Sequence, residues 1–137
     1  SGAVRGFRDP DSLHYTFRGI PFAEPPIGTN RWRPPQPIDA WDDVLNATEY
    51  GSTCIQRGPA WRTLSGVRGS KASSEDCLYL NVFAPAKYLD KQSDGVPDAP
   101  LAPVMIYFPA GQFMWGSGDD AENFNAPQTP GGGEMVV

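Results

Sequence analysis

Few residues in this chain of 137 have the type and setting for chemistry. Ser117 lies between Gly116 and Gly118, where a hydroxyl could be presented on a tight turn as a nucleophile. His14 is the sole histidine and so the sole imidazole that could take a hydroxyl proton near neutral pH. It sits about a hundred residues upstream of Ser117, in a β-prone stretch, and reads as a surface or strand residue. No G-x-S-x-G turn occurs. Ser117 therefore has no evident base, and a structural role suits it better. Cys54 and Cys77 are the only cysteines. Without a cluster of His, Cys or carboxylates at ligand spacing they make no zinc site. A disulfide enclosing 22 residues is the better reading, with two buried free thiols as its alternative. Asn46-Ala47-Thr48 is an N-glycosylation acceptor pattern. Sequon and disulfide call for the same oxidising compartment, so each strengthens the other. No metal or organic cofactor is implied.

These residues must be positioned by a loop-rich scaffold. Glycine and proline number 15 each, while four Trp, five Tyr and seven Phe supply packing surface. The net charge is -5, which offers no positive field for phosphate and argues against nucleic acid as a partner. The longest apolar run, Val104 to Phe108, is far shorter than the roughly 18 residues of a membrane span. Gly2–Arg8 and Leu13–Arg18 are β-prone runs flanking Asp9-Pro10-Asp11-Ser12, which is turn chemistry, so an N-terminal hairpin is expected. Gly19 to Pro37 holds six prolines and no helical period. It should lie over the surface, pinned by Trp32 and Trp41.

Cys77 to Phe83 alternates Leu78, Leu80 and Val82 with Tyr79, Asn81 and Phe83, the period of a strand, which Ala84-Pro85 should end. Lys91 to Pro103 reads as an exposed connection. Val104 to Phe108, stopped by Pro109, is expected to be a central strand buried on both faces. Pro127 to Gly133 is another loop, and Glu134 to Val137 opens a further strand in which the chain stops. The expectation is one piece of a larger domain. Ser1 stands where an initiator Met would, with no apolar leader, so a targeting peptide is expected to have been removed or left out.

Three stretches carry a family resemblance. Tyr15-Thr16-Phe17-Arg18-Gly19-Ile20-Pro21-Phe22-Ala23-Glu24-Pro25-Pro26-Ile27-Gly28 with Arg31-Trp32-Arg33-Pro34-Pro35 resembles the opening of the type-B carboxylesterase and cholinesterase family. Ser74-Glu75-Asp76-Cys77-Leu78-Tyr79-Leu80-Asn81-Val82 is similar to its second signature. Pro103 to Phe108, followed by Gly111, Phe113 and Gly116-Ser117-Gly118, is similar to the strand that leads into its oxyanion-hole loop. The matches cover nearly the whole chain.

The resemblance implies an α/β fold: residues 1–137 as the N-terminal portion of one α/β-hydrolase domain, with an N-terminal hairpin, a Pro-rich surface segment, a disulfide loop and the first strands of a mixed main sheet. It implies that Cys54 pairs with Cys77, that Asn46 is a glycosylated position and that Arg31 pairs with Glu75. A guanidinium fork meeting that carboxylate would also hold the Pro-rich segment against the disulfide loop. Apart from the resemblance, two solvated charges are the simpler reading. It further implies a secreted or secretory-pathway serine esterase acting on small esters. The Ser, acid and His would come from the rest of the polypeptide, as a separate or missing chain, and the backbone amides of Gly111 and Gln112 would form the oxyanion hole.

Two departures matter. Pro109-Ala110-Gly111-Gln112-Phe113 stands where the family commonly has an aromatic or His, three glycines and Phe. The Gln112 side chain narrows the space beside the scissile carbonyl without removing its amide. Val67 stands where cholinesterases place the Trp that offers its π face to quaternary ammonium. Choline esters are therefore disfavoured, although Trp61 lies elsewhere in the same loop. The rival reading is a non-catalytic, esterase-like protein for adhesion, storage or scaffolding. A standalone binding module is weaker, because the strand at Val137 would be left unfinished.

Overall fold

The computed structural model describes residues 2–8, 14–56, 73–93, 102–108 and 116–119. Within them the chain runs through β1 (Val4–Arg5), β2 (Phe7–Arg8), β3 (His14–Pro21), a 3-10 turn (Gly28–Asn30), β4 (Leu45–Asn46), β5 (Thr53–Cys54), β6 (Ser73–Ser74), β7 (Tyr79–Pro85) and α1 (Ala86–Ser93). The three-stranded sheet β2-β3-β7 is antiparallel throughout. Two short parallel pairs flank it, β1 with β4 and β5 with β6.

β2 and β3 pair as the turn chemistry predicts, Phe7 opposite Thr16 and Arg8 opposite Tyr15; the expected turn at residues 9–12 lies outside the described residues. β3 has β-branched and aromatic residues at Tyr15, Thr16, Phe17 and Ile20, which suit a pleated surface. A β-bulge interrupts its pairing with β7. Phe17 faces Val82 and Ile20 faces Leu80, so Arg18 and Gly19 together oppose Asn81. Gly19 sits at φ +67, where a side chain would be strained, and a Cβ there would lie 2.6 Å from the Glu49 carbonyl oxygen. The bulge turns the Gly19 N–H out of the ladder, and the Asn81 Oδ1 accepts it at 3.0 Å.

The core beside this sheet is small-residue and aromatic. Ala23, Ala47, Tyr50, Pro85 and Ala86 are buried, with Thr16 among them. Arg18 lays its guanidinium over the rings of Phe7, at 4.9 Å, and Tyr50, at 4.5 Å. Its backbone N–H donates to Ala47, which ties β3 to the residue after β4. Trp41 fastens the Pro-rich segment to the N-terminal strand, its indole Nε1 donating to the Ala3 carbonyl at 2.9 Å.

Several expectations are corrected. Trp32 pins nothing: it is 92% exposed, at φ +60, with the Arg31 guanidinium over its ring. β7 is not ended by Ala84-Pro85 but includes both, opposite Tyr15 and His14; Pro85 is the last strand residue, where a missing N–H does least harm. α1 follows at once and carries the chain through Lys91 to Ser93, where an irregular connection is expected. Its eight residues complete barely two turns, too few to show a helical period in the sequence. Val104–Phe108 belongs to no regular element and has no ladder partner among the described residues, and Val104 and Phe108 are 83% and 82% exposed. Burial on both faces requires flanking strands and covering layers, and the described residues supply neither.

Candidate functional site

Cys54 and Cys77 form a disulfide with their Cα atoms 5.0 Å apart. It joins the end of β5 to the segment that enters β7. Parallel pairing of Thr53 with Ser73 and Cys54 with Ser74 holds the two arms beside it. Past Ser74, the Asp76 N–H donates to the Ser74 Oγ, and Tyr79 Oη–H donates to Asp76 Oδ1 at 2.9 Å. Partial burial, then the carboxylate that accepts its proton, raise the Tyr79 phenol above its ordinary value. Glu75, on the same turn, accepts from Arg31 Nε at 2.5 Å. That ion pair spans the Pro-rich segment and the disulfide loop. Both side chains stay exposed, at 53% and 37%, so it fixes geometry more than it stabilises.

The segment Gly116–Asp119 lies on this platform. Side chains of Gln56, Asn81 and Thr53 hydrogen-bond to it. Gln56 accepts the Gly116 N–H at its Oε1, 2.6 Å, and returns a bond from Nε2 to the Gly116 carbonyl at 2.9 Å. Asn81, whose Oδ1 holds the bulged Gly19, donates from Nδ2 to the Gly118 carbonyl at 3.2 Å. Thr53 Oγ1 and Ser117 Oγ share a hydrogen bond of 3.2 Å. In the sequence Asn81 stands out only as a member of the strand alternation and of the second signature, and Gln56 not at all. The available signal is weak: a polar residue on the inward-facing side of a strand, and an amide two residues past a cysteine.

Gly111 and Gln112 lie outside the described residues. Asn46 is exposed in β4, its backbone paired with Arg5. His14 stands on β3 opposite Pro85, with both ring nitrogens buried and lacking hydrogen-bond partners, remote in sequence from the Gly116–Asp119 turn. Val67 and Trp61 also fall outside the described residues. Among the described residues no group of three His, Cys, Asp or Glu could hold a metal ion, and no helix is long and apolar enough to cross a membrane.

Comparison with known proteins matches residues 1–128 to the model of the carboxylesterase family. The para-nitrobenzyl esterase of Bacillus subtilis (strain 168) is 36% identical over 136 residues, covering 99% of this chain and 25% of that protein. The acetylcholinesterase of Electrophorus electricus is 40% identical over 123 residues, 85% of this chain and 18% of that one. Among solved structures, a thermophilic pNB esterase superposes with a TM-score of 0.54 at 42% identity, over 62% of this chain and 17% of its own. The chain thus spans a quarter or less of the length of these relatives.

Proposed function

Since this chain belongs to the carboxylesterase family, we propose that it is the N-terminal portion of a secreted carboxylic-ester hydrolase and contributes the oxyanion hole of its active site. The observation that carries this reading is the extent of the family match, residues 1–128, which runs across the loop containing Gly111 and Gln112. The rest of the polypeptide supplies the serine, histidine and acid. The serine oxygen attacks the ester carbonyl as the histidine takes its proton. The carbonyl oxygen, now bearing a full negative charge, is held by the amides of Gly111 and Gln112. The alkoxide leaves with the proton returned by the histidine, and water repeats the sequence on the acyl-enzyme.

Only backbone donors are asked of this chain, so Gln112 in place of a glycine is compatible with the chemistry provided its N–H faces the developing charge. The disulfide and the exposed sequon at Asn46 support maturation in an oxidising compartment.

The test is a fluorophosphonate probe applied to the full-length protein. One serine per molecule should be phosphonylated, and prior incubation with an ester substrate should slow the labelling. A protein inert to the probe would favour the esterase-like adhesion, storage or scaffold reading, which Ala110 and Gln112 in place of two loop glycines, and Pro109 in place of the aromatic or His, allow.

A further inference from the structure

Segment Gly116–Asp119 follows the loop of Gly111 and Gln112 by only a few residues, so whatever fixes it limits where that loop can end. It has little means of fixing itself. Gly116 is at φ +130, open only to glycine, and both glycines carry more backbone freedom than any other residue. No ladder pairs the segment with a described strand. Instead, Gln56 meets Gly116 as a second strand would, carbonyl oxygen to N–H and amide nitrogen to C=O. The orientation of that amide is dictated, since the Gly116 N–H can only donate and its carbonyl can only accept. The same Nε2 also reaches the Cys54 carbonyl at 3.1 Å, locking Gln56 onto the disulfide strand. Asn81 does the equivalent work two residues on, spanning from the β3 bulge to the Gly118 carbonyl. A Cβ at Gly118 would lie 2.8 Å from Asn81 Nδ2, so a side chain there would displace the amide that makes this contact.

We propose that Gln56 and Asn81 are positioning residues of the esterase reaction, fastening the backbone at Gly116 and Gly118 to the disulfide strand and to β7 so that the preceding loop holds its amides in place. The proposal rests on the reading of Gly111 and Gln112 as oxyanion donors. Neither residue touches substrate; each acts through the backbone it holds.

The experiment compares full-length wild type with Gln56→Ala, Asn81→Ala and Gln56→Glu. Two readouts are used: amide hydrogen exchange in a peptide covering residues 116–119, and steady-state hydrolysis of para-nitrophenyl acetate. Exchange at Gly116 should accelerate at least about tenfold in Gln56→Ala, the effect of one lost neutral hydrogen bond. In each alanine variant kcat should fall about tenfold with KM within about twofold, because the lost contact matters only to the transition state. Gln56→Glu keeps an acceptor for the Gly116 N–H but sets a second acceptor against the Gly116 and Cys54 carbonyls, so it should fall short of wild type in both readouts. Unchanged exchange would overturn the clamp whatever the activity. Faster exchange with kcat unaltered would overturn the positioning role while leaving the esterase reading intact. A wild type that turns over no ester would overturn that reading and the positioning role with it, and the exchange data would still report separately on the clamp.

Discussion

Removing the Cys54–Cys77 disulfide isolates one contribution to stability whose size follows from chain length alone. The two cysteines are 23 positions apart. In the chain-entropy description, a cross-link closing a loop of that size removes about 11 cal/mol/K from the unfolded ensemble, or about 3.4 kcal/mol at 25 °C. The structure adds little to that figure in the native state. β5 and β6 pair over two residues only, and the Arg31–Glu75 ion pair beside them is exposed. The double substitution Cys54→Ala with Cys77→Ala should therefore lower the urea midpoint of the full-length protein by about 1 M, taking a slope of about 3 kcal/mol/M. Reduced wild type should unfold at the same urea concentration as the double variant, and near-ultraviolet circular dichroism below the midpoint should be unchanged. A midpoint that does not move would refute the entropic argument. A loss well above about 5 kcal/mol would refute it from the other side, showing that the bond holds native contacts, the seat of Gln56 among them, and does more than restrict the unfolded chain.

Three further outcomes follow. Gly19→Ala should cost about 2–5 kcal/mol by urea unfolding, the sum of a left-handed φ and a Cβ pressed against the Glu49 carbonyl. Arg31→Ala should cost no more than about 1 kcal/mol in the same assay, and the difference from wild type should vanish in high salt, as for any exposed ion pair. Tyr79 has a raised folded-state value, so its contribution is fully present below the unfolded value near 10.0 and is lost as pH rises through the higher folded one. Tyr79→Phe should leave stability flatter than wild type as pH rises above about 10, measured by unfolding at stepped alkaline pH.

Much of the scaffold was legible because its signals are local. Two β-prone runs separated by Asp9-Pro10-Asp11-Ser12 lead to the expectation of paired strands that β2 and β3 meet, and alternation marks β7. The inward face of β7 is less legible. Leu80 and Val82 are the more hydrophobic set, yet both are exposed, and Tyr79, Asn81 and Phe83 turn inward. That choice depends on the bulge at Gly19, which needs an amide from Asn81, and hence on a residue 62 positions away. The Gln56 clamp is likewise made across 60 positions and leaves no periodicity to read. Trp32 shows the opposite failure. An aromatic in a proline-rich stretch suggests an anchor, but the positive φ of this residue turns its ring to solvent. The Val104–Phe108 run has the composition of a buried strand, but its environment is set by neighbours that composition does not specify.

The most direct test of the account is the steady-state hydrolysis of para-nitrophenyl acetate by full-length wild type and by Gln112→Pro, which deletes one backbone donor and leaves every catalytic side chain in place. With folding verified by an unchanged fluorophosphonate-accessible serine count, kcat should fall about a hundred- to a thousand-fold, about 2.7–4 kcal/mol of transition-state stabilisation, while KM changes little. An unaltered kcat would contradict the claim that this chain supplies the oxyanion hole.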